Sequence, residues 1–503
     1  IILHGNQFDD AYITYRYAIN LADGRGLVFN PGEKVNSASS LSYALLLAAI
    51  HRAGVDNLEQ AAALIGVLSG CILLVYASLL GRRLSGSTWI TALFVIPLAV
   101  SGSLTAWSVS GMETLFYAAM LIMFFYYLAG RRILPAGGLL ILSMLTRPEA
   151  VILLVGLAAA GVALIWLRQN PGPVVPLVLA GGSAIAVYYV FNELYYGSFV
   201  PQSAWHKQVT LFYAPDPVEK VRRFAEFMLS EHAVLTLLGA AFCLVILLQL
   251  LRALKTHKLQ SLSDKPNALV NLTLAAFIVG SAMSLTLGPI SIGHRYEVPL
   301  LPILAVAAAA VCEYGRRSYA LSTSAAKQPL MAIVVAGILV LGPVQALLSY
   351  QAHASETLAA AEHQRLRRAM GEWIEAHVPT DQPVLSHDLG AISYFALQHR
   401  FIDVEGLISA EPLMAVRQGD WERFIDYLRE EKPLWAADTL GPDGVPAAFH
   451  MVRRPTEYFR GLRGSSNDLL DLESPLNKLE MRWDIPGGRS FGIVAIDPSL
   501  YGE

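Results

Sequence analysis

Charged residues are scarce in this chain: 15% of its 503 residues are Asp, Glu, Lys or Arg, against about 25% in ordinary soluble domains. With 54% hydrophobic residues and a mean hydropathy of +0.46, a purely soluble protein is excluded. Cysteine is also rare. Cys71, Cys243 and Cys312 each fall inside an apolar run, and no C-x-x-C or Cys/His spacing is present. That rules out a disulfide framework and a zinc site of the usual kind. Neither half of the chain is strongly basic, which excludes nucleic acid as a partner held by bulk charge. Repeats, low-complexity tracts and long linkers are lacking too, and apolar residues abound throughout, which excludes disorder.

What charge there is divides unevenly. Residues 1–350 carry 22 Lys/Arg and 16 Asp/Glu, whereas residues 351–503 carry 15 and 24. The first part reads as a membrane domain and the second as a water-soluble one. Runs long enough to cross a bilayer, roughly 20 apolar residues, lie at about 58–81, 87–105, 113–130, 133–147, 149–167, 174–195, 233–254, 268–289, 296–313 and 330–350. The start at Ile1-Ile2-Leu3, without a Met, is expected to be the last turn of one more apolar helix, for about eleven spans. Alternate loops carry Arg82-Arg83, Arg131-Arg132, Arg168, then Arg252, Lys255, Lys258 and Lys265, then Arg316, Arg317 and Lys327. By the positive-inside rule these loops are cytoplasmic. The first loop, residues 4–57, and the soluble part are then expected outside. Within that loop Leu41–Ile50 is too short to span and is expected to lie as a helix at the membrane surface.

The soluble part reads as a small α/β domain. Glu356–His377 has a charged, helical period, as do Ala391–Leu397 and Trp421–Glu430. Short β-like runs stand at Pro383–Ser386, Arg400–Val404, Leu434–Ala437, Leu479–Ile485 and Phe491–Ile496. Arg453–Asn467 reads as a loop.

This topology sorts the notable polar residues to the outer side: Asp9-Asp10, Glu113, Arg147 with Glu149, Trp205-His206-Lys207, and His294-Arg295-Tyr296-Glu297. Ionisable groups at helix ends beside a bilayer are costly unless paired or functional. Asp9 and Asp10 suit either an N-terminal cap of the helix that follows or a general base or metal ligand. Glu113 has the same capping alternative, and Arg147-Pro148-Glu149 reads as an ion pair at a helix–helix turn. His206-Lys207 and His294-Arg295 place two cationic pairs on one face, which suits a phosphate at the membrane surface. His387-Asp388 and Asp403 read as structural turn residues.

The stretch Asp9-Asp10-Ala11-Tyr12-Ile13-Thr14-Tyr15-Arg16-Tyr17-Ala18, continued by Gly24–Glu33, resembles the first external loop of the C-type (GT-C) glycosyltransferases. Ser110–Thr114, Thr146–Glu149, Tyr196–Lys207, Arg295-Tyr296 before Pro299 and Pro302, His387–Ile392 and Phe401–Leu407 are similar to the same family in order. The resemblance is strongest to the branch of the mycobacterial terminal arabinofuranosyltransferase, with mannosyl- and pilin glycosyltransferases as relatives. Asn36–Ser40 departs from the Gly-Tyr-Thr common there. The resemblance implies a bacterial inner-membrane enzyme whose active site faces the periplasm. A sugar, D-arabinofuranose before mannose or another hexose, would pass from polyprenyl phosphate to a polysaccharide, glycolipid or pilin-like protein by one inverting displacement. Asp9 would be the base and Asp10 its orienting neighbour. Lys207, His206, His294, Arg295 and Arg147 would face the donor phosphate. Tyr12, Arg16, Glu113, Trp205 and Tyr296 would line the substrate. No cofactor is required, and a divalent cation near Asp9 and Asp10 is compatible. A transporter or flippase of lipid-linked sugars is the rival reading.

Overall fold

The fold was analysed in a computed structural model, which describes residues 7–38, 40–209, 217–256, 267–287, 292–320, 344, 347, 361–441, 443–453, 477–484 and 490–501. The expected span at 330–350 and the loop at 453–467 lie almost wholly outside those residues. The chain forms two compact units. One gathers residues 1–61, 189–215 and 358–503, and the other gathers 62–188 and 216–357.

The second unit is helical. Its helices follow the apolar runs closely: α3 (Leu58–Ser85, its first turn in the other unit), α4 (Thr88–Ala99), α5 (Gly102–Val109), α6 (Thr114–Ala129), α7 (Ile133–Thr146), α8 (Val151–Trp166), α9 (Val174–Tyr196, its last turns in the other unit), α12 (Ala233–Thr256), α13 (Ala268–Leu287) and α14 (Leu301–Ala320). Between α9 and α12 come α10 (Gln202–Val209), in the first unit, and the short amphipathic α11 (Pro217–Glu226). Among the described residues six helices are long and apolar enough to cross a membrane, or seven if α4 and α5 form one broken span. The sequence expects one span over 87–105, and the structure shows there a helix pair bent by 56°. Pro97 sits in the last turn of α4, and the Ser101-Gly102 step follows it. Along α3, Leu64, Leu68, Ile72 and Val75 stay exposed. Such an apolar stripe suits lipid and not water. The chain is a multi-pass membrane protein.

The first unit holds the C-terminal domain together with the first loop. Helix α15 (361–377) precedes a five-stranded sheet. Strands β1 (Val384–Ser386), β2 (Phe401–Asp403) and β3 (Trp435–Leu440) run parallel, while β5 (Ser490–Ala495) joins β3 and β4 (Lys478–Asp484) antiparallel, in the order β2-β1-β3-β5-β4. The helices between them are α16 (Gly390–Tyr394), α17 (Ala410–Gln418), α18 (Glu422–Glu431) and α19 (Ala447–Arg453). The strands fall where the β-like runs predict them. The pattern at α17 and α19 was not legible as helix.

Side chains alternate across the sheet, as a pleated strand requires. Leu385, Ile402, Ala436 and Val494 face a core with Phe424, Leu428 and Phe449. Val384, Phe401, Ala437 and Ile493 face the other core, which contains Met370 and Ile374 of α15 and also Ile13, Tyr17 and Phe29 of the first loop. The loop's helices α1 (Asp9–Ala22) and α2 (Leu41–Arg52) pack on each other, and α1 packs on α16. Tyr17 and Phe29 are fully enclosed, and each such side chain contributes about 1.5–3 kcal/mol of burial. The described residues of the first loop therefore share a core with the C-terminal domain.

Candidate active site

Asp9 opens α1 behind Phe8, which occupies the cap position without a side-chain cap. The expected capping role is corrected by the structure: the Asp9 carboxylate serves α16, not its own helix. The Gly390 amide donates to Oδ2 at 3.1 Å, and the Ala391 amide to Oδ1 at 3.0 Å. A Cβ on Gly390 would collide with the Asp9 side chain, so only glycine fits there. Arg367 of α15 reaches both Asp388, with Nε 2.8 Å from Oδ2, and Asp9, 3.6 Å from Oδ1. Gln364, one turn earlier, offers its Nε2 to Asp9 Oδ1 at 3.4 Å.

This environment sets the acidity of Asp9. Burial pushes its pKa from the ordinary 3.8 up to about 6. The Arg367 guanidinium opposes that, the Asp388 carboxylate adds to it, and the Ala391 amide and Asp10 act in opposite senses after them. A carboxylate that ionises near neutrality is a stronger base than a solvated one. Its oxygens accept from N–H donors beside a guanidinium, which suits an anion better than a divalent ion. Among the described residues no three His, Cys, Asp or Glu side chains are grouped to hold a metal. Asp10 is half-buried in the same first turn.

Tyr12 follows Asp9 by one turn. It is 2% exposed and donates to Glu59 Oε1 at 2.5 Å. Tyr12, Glu59, Glu362, Gln364, Arg365 and Arg368 line a cleft of about 590 Å³, a size that suits a small ligand.

Arg16 is not at this surface. It is fully buried and donates to the backbone carbonyls of Phe29 (2.9 Å), Ala396 (3.3 Å), His399 (2.6 Å) and Ser393. The expectation that it lines substrate is therefore corrected: it ties the first loop to the loop after α16. His206 is likewise committed, its Nε2 lying 2.9 Å from Glu405 Oε2. Glu405 also faces His387 at 3.4 Å, and the other nitrogen of His387 lies 3.5 Å from Asp438. Burial works against the charge on Glu405, yet His387 and His206 hold it well below the usual carboxylate range. His387 is raised in turn, with Glu405 and Asp438 overcoming its desolvation. Trp205 carries the Arg417 guanidinium on its ring, 3.9 Å from the centroid, so that face is covered. Lys207 is half-buried on the same helix. The turn reading of Asp403 holds: it accepts the amides of Glu405, Leu407 and Ile408.

The second unit draws four other expected residues together. Arg147 pairs with Glu113, Nη2 to Oε1 at 2.8 Å, and the two are 3% and 2% exposed. The pair expected with Glu149 is thereby corrected, as is the capping role of Glu113, which makes no side-chain cap. Arg147 also donates to Thr114 Oγ1 (3.1 Å) and the Arg295 carbonyl (3.3 Å). Both Arg147 and Arg295 lie over the Tyr296 ring, at 5.3 and 5.1 Å. His294 stacks on Phe227 at 4.2 Å. The Arg147 guanidinium is thus engaged by Glu113, Thr114 and the Arg295 carbonyl.

Arg367, Gln364 and Glu59 escaped sequence reasoning. Their only signal is the helical period of α15 and the acidic start of α3.

Residues 355–469 match a family described as "Domain of unknown function (DUF8728)". No curated protein sequence matches the chain. Among solved structures the chain is similar to ArnT from Cupriavidus metallidurans bound to undecaprenyl phosphate. The TM-score is 0.56 at 13% identity, over 99% of this chain and 95% of that one. The apo form of the same protein aligns at a TM-score of 0.47, with 13% identity over 99% and 94%. At this identity the likeness shows architecture: the chain has the GT-C fold of ArnT.

Proposed function

We propose that this protein is a membrane glycosyltransferase that moves a sugar from polyprenyl phosphate to an acceptor hydroxyl. The observation that carries the reading is Asp9: a carboxylate largely withdrawn from water, ionising near pH 6, beside a cleft of ligand size. The GT-C fold supports it, as does the undecaprenyl phosphate bound to ArnT. In the reaction Asp9 takes the acceptor proton while the acceptor oxygen bonds to the anomeric carbon. The bond from that carbon to the phosphate oxygen breaks, and polyprenyl phosphate leaves with the electron pair. One displacement inverts the anomer. The phosphate is a stable leaving anion, so a nearby cation suffices in place of a general acid. Lys207, in the same unit as Asp9, is the cation proposed for it, and alanine variants of Lys207, His294 and Arg295 test the three expected phosphate ligands one by one.

The sugar proposed is D-arabinofuranose, on the resemblance of residues 9–33. The active face is proposed to lie outside a bacterial inner membrane, a reading supported by the basic loops of the sequence. The test is incubation of purified protein with arabinofuranosyl and mannosyl polyprenyl phosphates, with release of polyprenyl phosphate as readout. Release from the arabinofuranosyl donor supports the proposal. Release from the mannosyl donor alone overturns the sugar, and release from neither overturns the function.

A further inference from the structure

Gln364 stands at the junction of the cleft and the base. It is 5% exposed, forms part of the cleft wall, and donates its amide to Asp9. Its Oε1 is buried and has no hydrogen-bond partner. A buried acceptor left unmade costs about 1–3 kcal/mol, and such a group is retained where a ligand completes it. The terminal amide torsion is soft, so a hydroxyl seated at the wall recruits Oε1 by a small rotation. The rest of the lining specifies the ligand class. Glu59 and Glu362 are offset by Arg365 and Arg368, so the cleft carries no net charge, and Tyr12 adds an aromatic side chain. Arg368 is already drawn to Glu372 at 2.7 Å and lies 4.5 Å from the Phe395 centroid. A cleft of this kind offers many donors and acceptors without attracting an anion. A phosphorylated or sulfated partner finds no excess of cations here.

We infer that this cleft binds the end of a neutral glycan as acceptor, and that Gln364 is a positioning residue that aligns its hydroxyl on Asp9. The inference rests on the glycosyltransferase reading, deepening it by naming the acceptor class. The acceptor oxygen keeps its proton until Asp9 takes it. Gln364 contributes orientation and no proton.

The test uses the full chain in nanodiscs and three probes: a neutral arabinofuranosyl tetrasaccharide, a neutral mannosyl tetrasaccharide and an anionic oligogalacturonide. Binding is followed by calorimetry for wild type, Gln364→Met, which keeps the volume, and Gln364→Ala. A neutral tetrasaccharide is expected to bind, with affinity at least ten-fold weaker in both variants and thermal midpoint unchanged. In turnover, acceptor KM rises while donor KM holds. Three results overturn the inference: neither neutral probe binds, the anionic one binds as tightly, or the variants bind like wild type. Asp9→Asn separates the two readings. If it abolishes transfer while Gln364→Met binds glycan normally, the enzyme stands and the cleft assignment falls. If it transfers normally while Gln364→Met loses glycan, the cleft stands and the base assignment falls.

Discussion

Asp9 and Arg16 lie seven residues apart in one helix, and their surroundings assign them opposite kinds of work. Arg16 is enclosed on all sides and gives its N–H groups to four backbone carbonyls. Burial lowers its pKa to about 9, so it stays charged at neutral pH. Arg16→Met strands those carbonyls, each worth about 1–3 kcal/mol when left unmade. A fall of several degrees in the thermal midpoint of the detergent-solubilised protein is expected, and an unchanged midpoint would refute the structural role. Asp9 instead governs pH dependence. Its folded pKa, about 6, lies above the ordinary 3.8, so the folded state holds an extra proton between those values. This contribution to stability is present at low pH and fades as pH rises through 6, while activity grows over the same range as the base ionises. Removing the cation that lowers the Asp9 pKa, with Arg367→Gln, moves the rising limb of the rate profile to higher pH. A limb that stays in place would mean that Asp9 does not set it.

Among the elements, α15 and α16 decide whether the site exists. Gln364, Arg367 and Arg368 recur at helical spacing on α15, and Met370 and Ile374 anchor it in the core against the sheet. The period of that helix was plain in the sequence because polar and apolar residues alternate at its pitch. Its target was not. Arg367 meets Asp9 across more than 350 positions, and no local pattern encodes such a contact. The strands were legible for the same local reason. The partner of Arg147 was misread because sequence proximity favours Glu149, whereas packing of α6 and α7 presents Glu113. The resemblance marked His387–Ile392 as a motif without saying why a glycine stands in it. The structure supplies the reason at Gly390, and Gly390→Ala is expected to displace α16 from Asp9. Transfer should fall at least ten-fold with the membrane helices intact by circular dichroism. Full activity in that variant would show that the close approach is dispensable.

At the scale of the whole molecule, composition alone announced a membrane domain joined to a soluble one, and the GT-C architecture agrees. What composition hid is that the first loop belongs to the soluble domain. Its aromatic residues look like any membrane-proximal segment until Tyr17 and Phe29 are found in the sheet's core. By the positive-inside rule the basic loops lead us to expect Arg316 and Arg317 inside the cell and the C-terminal part outside. An impermeant thiol reagent applied to intact cells should label a cysteine introduced at Asp426 and spare one at Arg316. The reverse pattern would place the proposed chemistry on the wrong side of the membrane. The central claim is that Asp9 is the base of a lipid-phosphate glycosyl transfer. It is tested most directly by single-turnover release of polyprenyl phosphate from a bound sugar donor, comparing wild type with Asp9→Asn. A general base is worth about 10²–10⁴ in rate, so release in Asp9→Asn should slow at least 100-fold while donor affinity is retained. Release at the wild-type rate would contradict the account.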